Sequence, residues 1–132
     1  MGNDDGLFAN SQNIGGYMGN LAKKRCTACI VGVSALKEQE SKTFYLQLDE
    51  GWELVNNHHL EKTFRFKNFK ETLFFVNKIG QLAEEERHHP VMELSWGQLK
   101  VQIWTHQVNG LTESDFILAD KIDAEFIAYK DV

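Results

Sequence analysis

The sequence predicts an α+β fold, in which a four-stranded antiparallel sheet made of two hairpins carries three helices packed on one face. Two observations predict it. Three segments repeat apolar residues at helical spacing, and the two segments between them alternate apolar with polar residues on both sides of a short turn. The order is therefore helix, hairpin, helix, hairpin, helix. Two antiparallel strand pairs with helices between them bury one sheet face under those helices.

The composition is that of one globular domain: 132 residues, 42% hydrophobic and 25% charged. A chain of this length buries roughly two-thirds of its unfolded surface, so it needs no disulfide or metal framework. The net charge is −5 and no stretch concentrates Lys and Arg, which argues against nucleic acid as a partner. No apolar run approaches the roughly 18 residues of a membrane span, and the N-terminus lacks a basic region followed by an apolar stretch. We expect a cytoplasmic protein without a membrane partner.

The first residues differ from the rest in composition. Residues 1–22 are rich in Gly and Asn and show neither helical nor strand periodicity, so we expect a flexible arm ahead of one domain over residues 23–132. Cys26 and Cys29 form a CxxC motif, the spacing of half a zinc site or of a redox pair. Because neither a second ligand pair nor a βαβ pattern accompanies them, we interpret them as free thiols.

The first helix is expected over residues 36–48, with Leu36, Phe44 and Leu48 as core contacts. The first hairpin follows, with strands over residues 52–55 and 60–66. Asn56-Asn57 forms the turn between them, because Asn is favoured where a tight turn requires an unusual backbone conformation.

The second helix begins after Asn68, which with Glu71 resembles a capping box. It ends near Arg87, since Pro90 disfavours helical geometry in the residue before it. Its predicted apolar stripe consists of Phe69, Leu73, Val76, Gly80 and Ala83.

The second hairpin has strands over residues 92–96 and 99–105, joined by a Gly97-Gln98 turn. In the third helix, which runs to about Lys130, Thr112 is expected to cap the Asp115 amide, and Leu111 to pack on Phe116. The apolar stripe of this helix consists of Phe116, Ala119, Ile122, Phe126 and Tyr129.

His88 and His89 stand where the second helix is expected to end, just before Pro90. An extended backbone there forces the two rings apart, so they can face one cavity from two sides. The helix C-terminus and Glu84, one turn before His88, both favour the imidazolium form. Histidine exchanges protons near neutral pH, which suits general acid and base catalysis. The alternative is a plain helix-end pair between Glu84 and His88.

His106 ends the last strand, ahead of a loop and of the helix that carries Asp115. Asp115 can orient the His106 ring or simply complete the capping box. Trp104 shares its strand face with His106, and we expect it at the edge of the pocket.

Two further groups are interpreted as structural. His58 and His59 follow the first hairpin turn and are expected to be solvated, while Trp52 and Trp96 fit core positions. A zinc site built on the other three histidines is a weaker alternative, because adjacent histidines are poorly spaced as zinc ligands. We therefore expect no metal.

The spaced set Glu84-x3-His88-His89-Pro90-x5-Trp96-x9-His106-x8-Asp115 resembles the signature of the pterin-4a-carbinolamine dehydratases. The segments FRFKNFKETLFFVNKIGQLAEEERHHP and THQVNGLTESDFILADKID are similar to the same family. The resemblance covers residues 26–123 and includes the CTAC segment.

The resemblance implies the α+β fold described above and a reaction. Members of the family remove water from 4a-hydroxytetrahydrobiopterin, the product left by aromatic amino acid hydroxylases, to give quinonoid dihydropterin without metal or organic cofactor. The implied catalytic residues are His88, His89 and His106. The implied substrate-binding set is Glu84, Asp115 and Trp104, with Asp115 positioning His106. Some animal members have a cysteine where this chain has Val108, so no thiol takes part at that position.

The resemblance also bears on partners. It implies a pterin substrate, a homodimer or homotetramer and a functional link to an aromatic amino acid hydroxylase. Animal members act in addition as a dimerisation cofactor for a homeodomain transcription factor. The alternative function is therefore a non-catalytic protein-binding or dimerisation module on the same fold. An edge strand or the stripe of the third helix could form the contact, unless that stripe packs on the protein's own sheet.

Overall fold

The computed structural model describes Leu21 and residues 34–130. The elements follow the predicted order. They are α1 (Glu38–Tyr45), β1 (Glu53–Val55), β2 (His59–Arg65), α2 (Phe69–Glu86), β3 (Val91–Ser95), β4 (Gln98–Ile103) and α3 (Glu113–Lys130), with a 3₁₀ turn at His106–Val108. No helix in these residues is long and apolar enough to cross a bilayer.

The four strands form one antiparallel sheet in the order β1-β2-β4-β3, so the two predicted hairpins join through β2 and β4. The register pairs Leu60 with Ile103, and Val91 with Gln102. The starts of β2 and β3 therefore share one end of the sheet with the end of β4. This end receives the segments that carry the histidines.

The core lies between the sheet and the helices. Phe64 on β2 packs against Phe75 of α2 and Phe126 of α3, with ring centroids 5.4 Å and 5.0 Å apart. Full burial of a large apolar side chain contributes about 1.5–3 kcal/mol, so this ring cluster is a main source of stability. The apolar stripe of α3 thus packs on the protein's own sheet.

The buried face of α2 differs from the predicted stripe. The residues facing the core are Thr72, Phe75, Ile79, Leu82, Ala83 and Glu86. Phe69 and Leu73 are instead 44% and 41% exposed. The prediction missed this face because it includes the polar Thr72. The Thr72 hydroxyl can be buried because it donates to the Asn68 carbonyl oxygen at 2.8 Å and lies 3.2 Å from the Trp96 carbonyl oxygen. The start of α2 is as predicted, since Asn68 Oδ1 accepts from the Glu71 N–H at 2.9 Å.

The turn of the second hairpin lies one residue earlier than predicted. Ser95 pairs with Gln98, so the turn residues are Trp96 and Gly97. Trp96 is consequently 67% exposed, and its expected core position is wrong. Glycine is needed at position 97 because a Cβ there would lie 2.8 Å from the Phe66 carbonyl oxygen. In the first hairpin, Asn56 and Asn57 both adopt the left-handed conformation expected of a tight turn.

The other tryptophan assigned to the core, Trp52, is buried and donates from Nε1 to Asp123 Oδ2 at 2.8 Å. Lys62 binds the other oxygen of the same carboxylate at 2.7 Å. Burial raises the pKa of Asp123, which Lys62 partly offsets. This buried pair fastens β2 to α3.

The N-terminal elements are shorter than expected. α1 covers 8 residues, and Leu36, Phe44 and Leu48 are partly buried against the core, as predicted. Within the predicted flexible arm only Leu21 is described, and it is 2% exposed within the core cluster. The rest of the predicted arm, together with Cys26 and Cys29, lies outside the described residues.

Gly97→Ala should destabilise the fold by about 1–3 kcal/mol, because the hairpin must move to accommodate the methyl group. The matched control is Gly80→Ala in α2, where an added Cβ meets nothing within 4 Å. That variant should be more stable by about 0.5–1 kcal/mol, since Ala is the better helix former. Urea unfolding measures both free energies, and equal effects would contradict the prediction.

Candidate active site

All five histidines of the chain lie at one end of the sheet. His88 and His89 connect α2 to β3, His106 follows β4, and His58 and His59 stand at the start of β2. The strand register brings these three segments together, because β2 and β3 begin where β4 ends. The N-terminus of α3 closes the same end.

The end of α2 directs two adjacent histidines in different directions. Arg87 adopts the left-handed conformation, with φ 53° and ψ 39°, and its N–H donates to the Ala83 and Glu84 carbonyl oxygens. The chain then leaves the helix axis and enters β3 after Pro90. As a result His88 is buried, with 8% exposure, whereas His89 is exposed. The predicted divergence of the two rings is present.

The buried ring is held by Asp115. His88 Nε2 donates to Asp115 Oδ1 at 2.6 Å, and Asp115 has no exposed surface. The resemblance implied that Asp115 positions His106 and contacts the substrate. The structure corrects both expectations, because the carboxylate is fully buried and its histidine partner is His88.

The second oxygen of Asp115 is equally engaged. Oδ2 accepts from the Thr105 hydroxyl and from the Thr112 N–H, each at 2.8 Å. The capping of α3 differs from the prediction in one detail: the Asp115 N–H donates to the Thr112 carbonyl oxygen, and the Thr112 hydroxyl bonds to Thr105 instead. Asp115 therefore begins α3 and also fixes the His88 ring.

The Asp115 contact defines the chemistry of His88. With the Nε2–H directed at a carboxylate, the neutral imidazole must have its lone pair on Nδ1. Nδ1 is then the nitrogen that can accept or return a proton, while the carboxylate stabilises the imidazolium that forms. A carboxylate plays the same orienting role in serine hydrolase triads.

Glu84 pairs with the exposed histidine. Its Oε2 accepts from His89 Nε2 at 2.5 Å, and the two side chains are 77% and 60% exposed. The alternative of a helix-end pair between Glu84 and His88 is therefore wrong, because the histidine that pairs with Glu84 is His89. Both groups are accessible to a ligand.

His106 and Trp104 form a stack on the other side of this end. Their ring centroids are 4.6 Å apart and the ring planes differ by 19°. The loop beyond them is closed by the Thr105 N–H, which donates to the Gly110 carbonyl oxygen at 2.8 Å. Since Thr105 also binds Asp115, the stack is connected to the His88–Asp115 pair through adjacent residues.

The sequence analysis expected His58 and His59 to be solvated and did not place them near the other histidines. Both are half-buried and pack on Trp104, with ring centroids 5.3 Å and 5.9 Å from the indole. The pairing of β2 with β4 explains their position, because Leu60 lies opposite Ile103 and the residue before Leu60 therefore lies opposite Trp104. Local turn chemistry alone could not reveal this proximity.

Other candidate sites are distinct from this one. Among the described residues, no group of three or more His, Cys, Asp or Glu side chains is placed to hold a metal ion. A groove of about 1080 Å³ lies at the opposite end of the sheet and contains none of the predicted site residues. Its lining includes Arg65, Lys67, Lys70, Lys78, Lys130, Phe74 and Tyr129.

Asp115→Asn should lower the free energy of unfolding by about 1–3 kcal/mol, because an amide leaves at least one of the three buried donors unpaired. Glu84→Gln is the matched control. It alters the other histidine–carboxylate pair, which is exposed, and should change stability by less than about 0.5 kcal/mol. Chemical denaturation measures the free energy of unfolding of both variants. Similar decreases in the two would show that the buried pair stabilises the fold no more than the exposed pair does.

Comparisons with known proteins agree with this architecture. A family model described as pterin 4 alpha carbinolamine dehydratase matches residues 34–125. A protein of Alkaliphilus metalliredigens, provisionally named a pterin-4-alpha-carbinolamine dehydratase, is 52% identical over 108 residues, covering 82% of this chain and 97% of that protein. A protein of Rubrobacter xylanophilus with the same provisional name is 49% identical over 106 residues, covering 80% and 98%.

A solved structure is also similar. The crystal structure of a transcriptional coactivator/pterin dehydratase from Brucella melitensis gives a TM-score of 0.64 at 29% identity, covering 69% of this chain and 97% of that one. The family model spans most of the chain and the two relatives cover four-fifths of it or more. The chain therefore belongs to the pterin 4 alpha carbinolamine dehydratase family.

Proposed function

We propose that the protein is a hydro-lyase that converts 4a-hydroxytetrahydrobiopterin to quinonoid dihydropterin and water. The observation that supports it best is the buried His88–Asp115 pair beside the Trp104–His106 stack, in a chain of this family. The arrangement provides a histidine of defined tautomer, a second accessible histidine and an aromatic surface at one sheet end.

The reaction requires two proton transfers. The N5 proton is removed and the N5–H electron pair forms the C4a=N5 double bond. The C4a–O bond breaks, and the departing hydroxyl takes a proton to leave as water. One base and one acid are needed, and imidazole can serve as either near neutral pH. No net oxidation takes place.

We assign these transfers to the histidines. His88 uses Nδ1, with its cationic form stabilised by Asp115, and His106 faces the same end of the sheet from the Trp104 stack. His89 completes the catalytic set from the exposed side. In this proposal Asp115 is a positioning residue rather than a substrate contact.

Substrate binding is assigned to Glu84 and Trp104. The exposed Glu84 carboxylate can accept hydrogen bonds from the N–H groups of a pterin ring. Trp104 offers an aromatic edge for the flat ring. Because the carbinolamine is the product left by aromatic amino acid hydroxylases, we propose that the protein serves to recycle their pterin cofactor. The cytoplasmic location expected from the sequence stays a prediction.

A second function is a protein-binding or dimerisation module. The similar Brucella melitensis protein is named both a transcriptional coactivator and a pterin dehydratase, and this name supports a protein-binding role as the second candidate. Such a role would not depend on the histidines. Activity of the wild-type protein on the pterin substrate therefore discriminates between the two functions.

We further propose that the protein forms a homodimer or homotetramer. β3 is an edge strand, and Trp96, which directly follows it, is 67% exposed. Phe69 and Leu73 in the first turns of α2 are 44% and 41% exposed. Large exposed apolar side chains beside an unpaired strand edge favour association.

His88→Ala should lower kcat by on the order of 100-fold or more, because it removes a group that transfers a proton. The assay follows the decay of freshly generated 4a-hydroxytetrahydrobiopterin by ultraviolet absorbance, with and without a chelator. His106→Ala should have a comparable effect. Full activity in both variants would refute the assigned roles, and activity lost on chelation would favour a metal site.

Glu84→Gln should raise KM about tenfold, because one charge-assisted contact to the pterin is lost. The neighbouring Glu85→Gln, also exposed on α2, is the matched control and should leave KM unchanged. Steady-state kinetics on the same substrate measures both. An equal rise in the two variants would indicate a general charge effect instead of a contact.

Trp96→Lys should lower the mass of the assembly measured by light scattering, because a charged side chain at an apolar contact opposes association. Lys70→Glu, an exposed change on α2 at the groove, is the control and should leave the mass unchanged. A monomeric wild-type protein would refute the proposed assembly.

A further inference from the structure

We propose that His58 is a positioning residue for His106: the first hairpin turn holds His58, and His58 helps to orient the His106 ring. The inference rests on the proposed function, because it concerns one of the assigned histidines. It stands on two separate routes of contact from His58 to His106.

The turn that presents His58 is firmly held. Asn56 and Asn57 have φ of 52° and 53°, and the His58 N–H donates to the Val55 carbonyl oxygen at 2.8 Å. Asn57 Nδ2 also donates to the Leu36 carbonyl oxygen at 3.2 Å. A turn fixed at both sides projects the next side chain in a defined direction.

The first route is a hydrogen bond to the loop that carries His106. His58 Nε2 lies 3.0 Å from Asn109 Oδ1, so Nε2–H is the donor. Asn109 ends the 3₁₀ turn His106–Val108 in the left-handed conformation, and its N–H donates to the His106 carbonyl oxygen at 3.2 Å. His58 thus fastens the far end of the turn that begins with His106.

The second route runs through rings. The His58 ring packs on Trp104 with centroids 5.3 Å apart, and Trp104 stacks on His106 at 4.6 Å. Among the described aromatic rings, Trp104 is the one that stacks on the His106 ring. The orientation of His106 therefore depends on the indole and on the turn, and His58 touches both.

The neighbouring His59 supports the tautomer of His58. The two Nδ1 atoms are 3.0 Å apart. Because a neutral His58 that donates from Nε2 has its lone pair on Nδ1, His59 must donate there. His59 in turn lies near the carboxylate of Glu61, with Nε2 3.6 Å from Oε1. A hydrogen bond from Gln102 lowers the pKa of Glu61, so this group is anionic.

The experiment combines NMR of the protein alone with kinetics. In the wild type, the indole ring current should shift the ring protons of His106 upfield. His58→Ala should move them toward the free imidazole position and lower kcat by about 10-fold to 100-fold, with KM within about twofold. His58→Gln retains an N–H donor for Asn109 and should recover part of kcat.

The controls separate folding from positioning. Asn56→Gly keeps the turn conformation, touches neither route, and should leave both readouts unchanged. If His58→Ala does not fold, Asn109→Gly breaks the first route alone, and the loss of kcat expected for it is smaller. An unchanged His106 ring shift, or an unchanged kcat in an active enzyme, overturns the inference. If the wild type has no dehydratase activity, the proposed function fails, and the ring shift alone decides whether His58 holds His106.

Discussion

The carboxylate of Asp115 is shared by three segments of the chain. It accepts from His88 at the end of α2, from Thr105 after β4 and from Thr112 at the start of α3. Taking a carboxylate fully out of water costs several kcal/mol unless hydrogen bonds replace its hydration. Closing this end of the core is therefore favourable because all three donors are in place, and the donor from His88 sets the tautomer of that ring.

This constraint divides the site into two parts. On the buried side, the His88 ring has one hydrogen-bonded arrangement and little freedom. On the open side, His106 is exposed and is oriented by ring stacking and by the turn behind it. Stacking contributes only about 0.5–1.5 kcal/mol per pair, so the open side can adjust to a ligand. For the proposed function, a fixed His88 ring and a more adaptable Trp104–His106 stack suit a flat substrate that must enter and leave.

Much of the fold could be predicted because its signals are local. The start of α2, the Asn56-Asn57 turn and the alternation of β2 and β4 depend on neighbouring residues, and these agree with the structure. The errors arose where contacts between distant parts of the chain determine which side chains pair or are buried. The resemblance implied His106 as the partner of Asp115, whereas packing of α3 against the end of α2 brings His88 to it, 27 residues away. Likewise, the buried face of α2 was not recognised because it includes the polar Thr72.

The two ends of the sheet differ in chemistry for a related reason. Histidines and an indole gather where β2 and β3 begin, whereas lysines, an arginine and phenyl rings line the groove where β2 ends. Phe69, Leu73 and the Trp96 turn also belong to that second end, since α2 starts and β3 finishes there. An assembly formed through those apolar side chains would thus bury surface far from the histidines. Association and substrate access need not compete in this architecture, because antiparallel strands direct their loops to opposite ends.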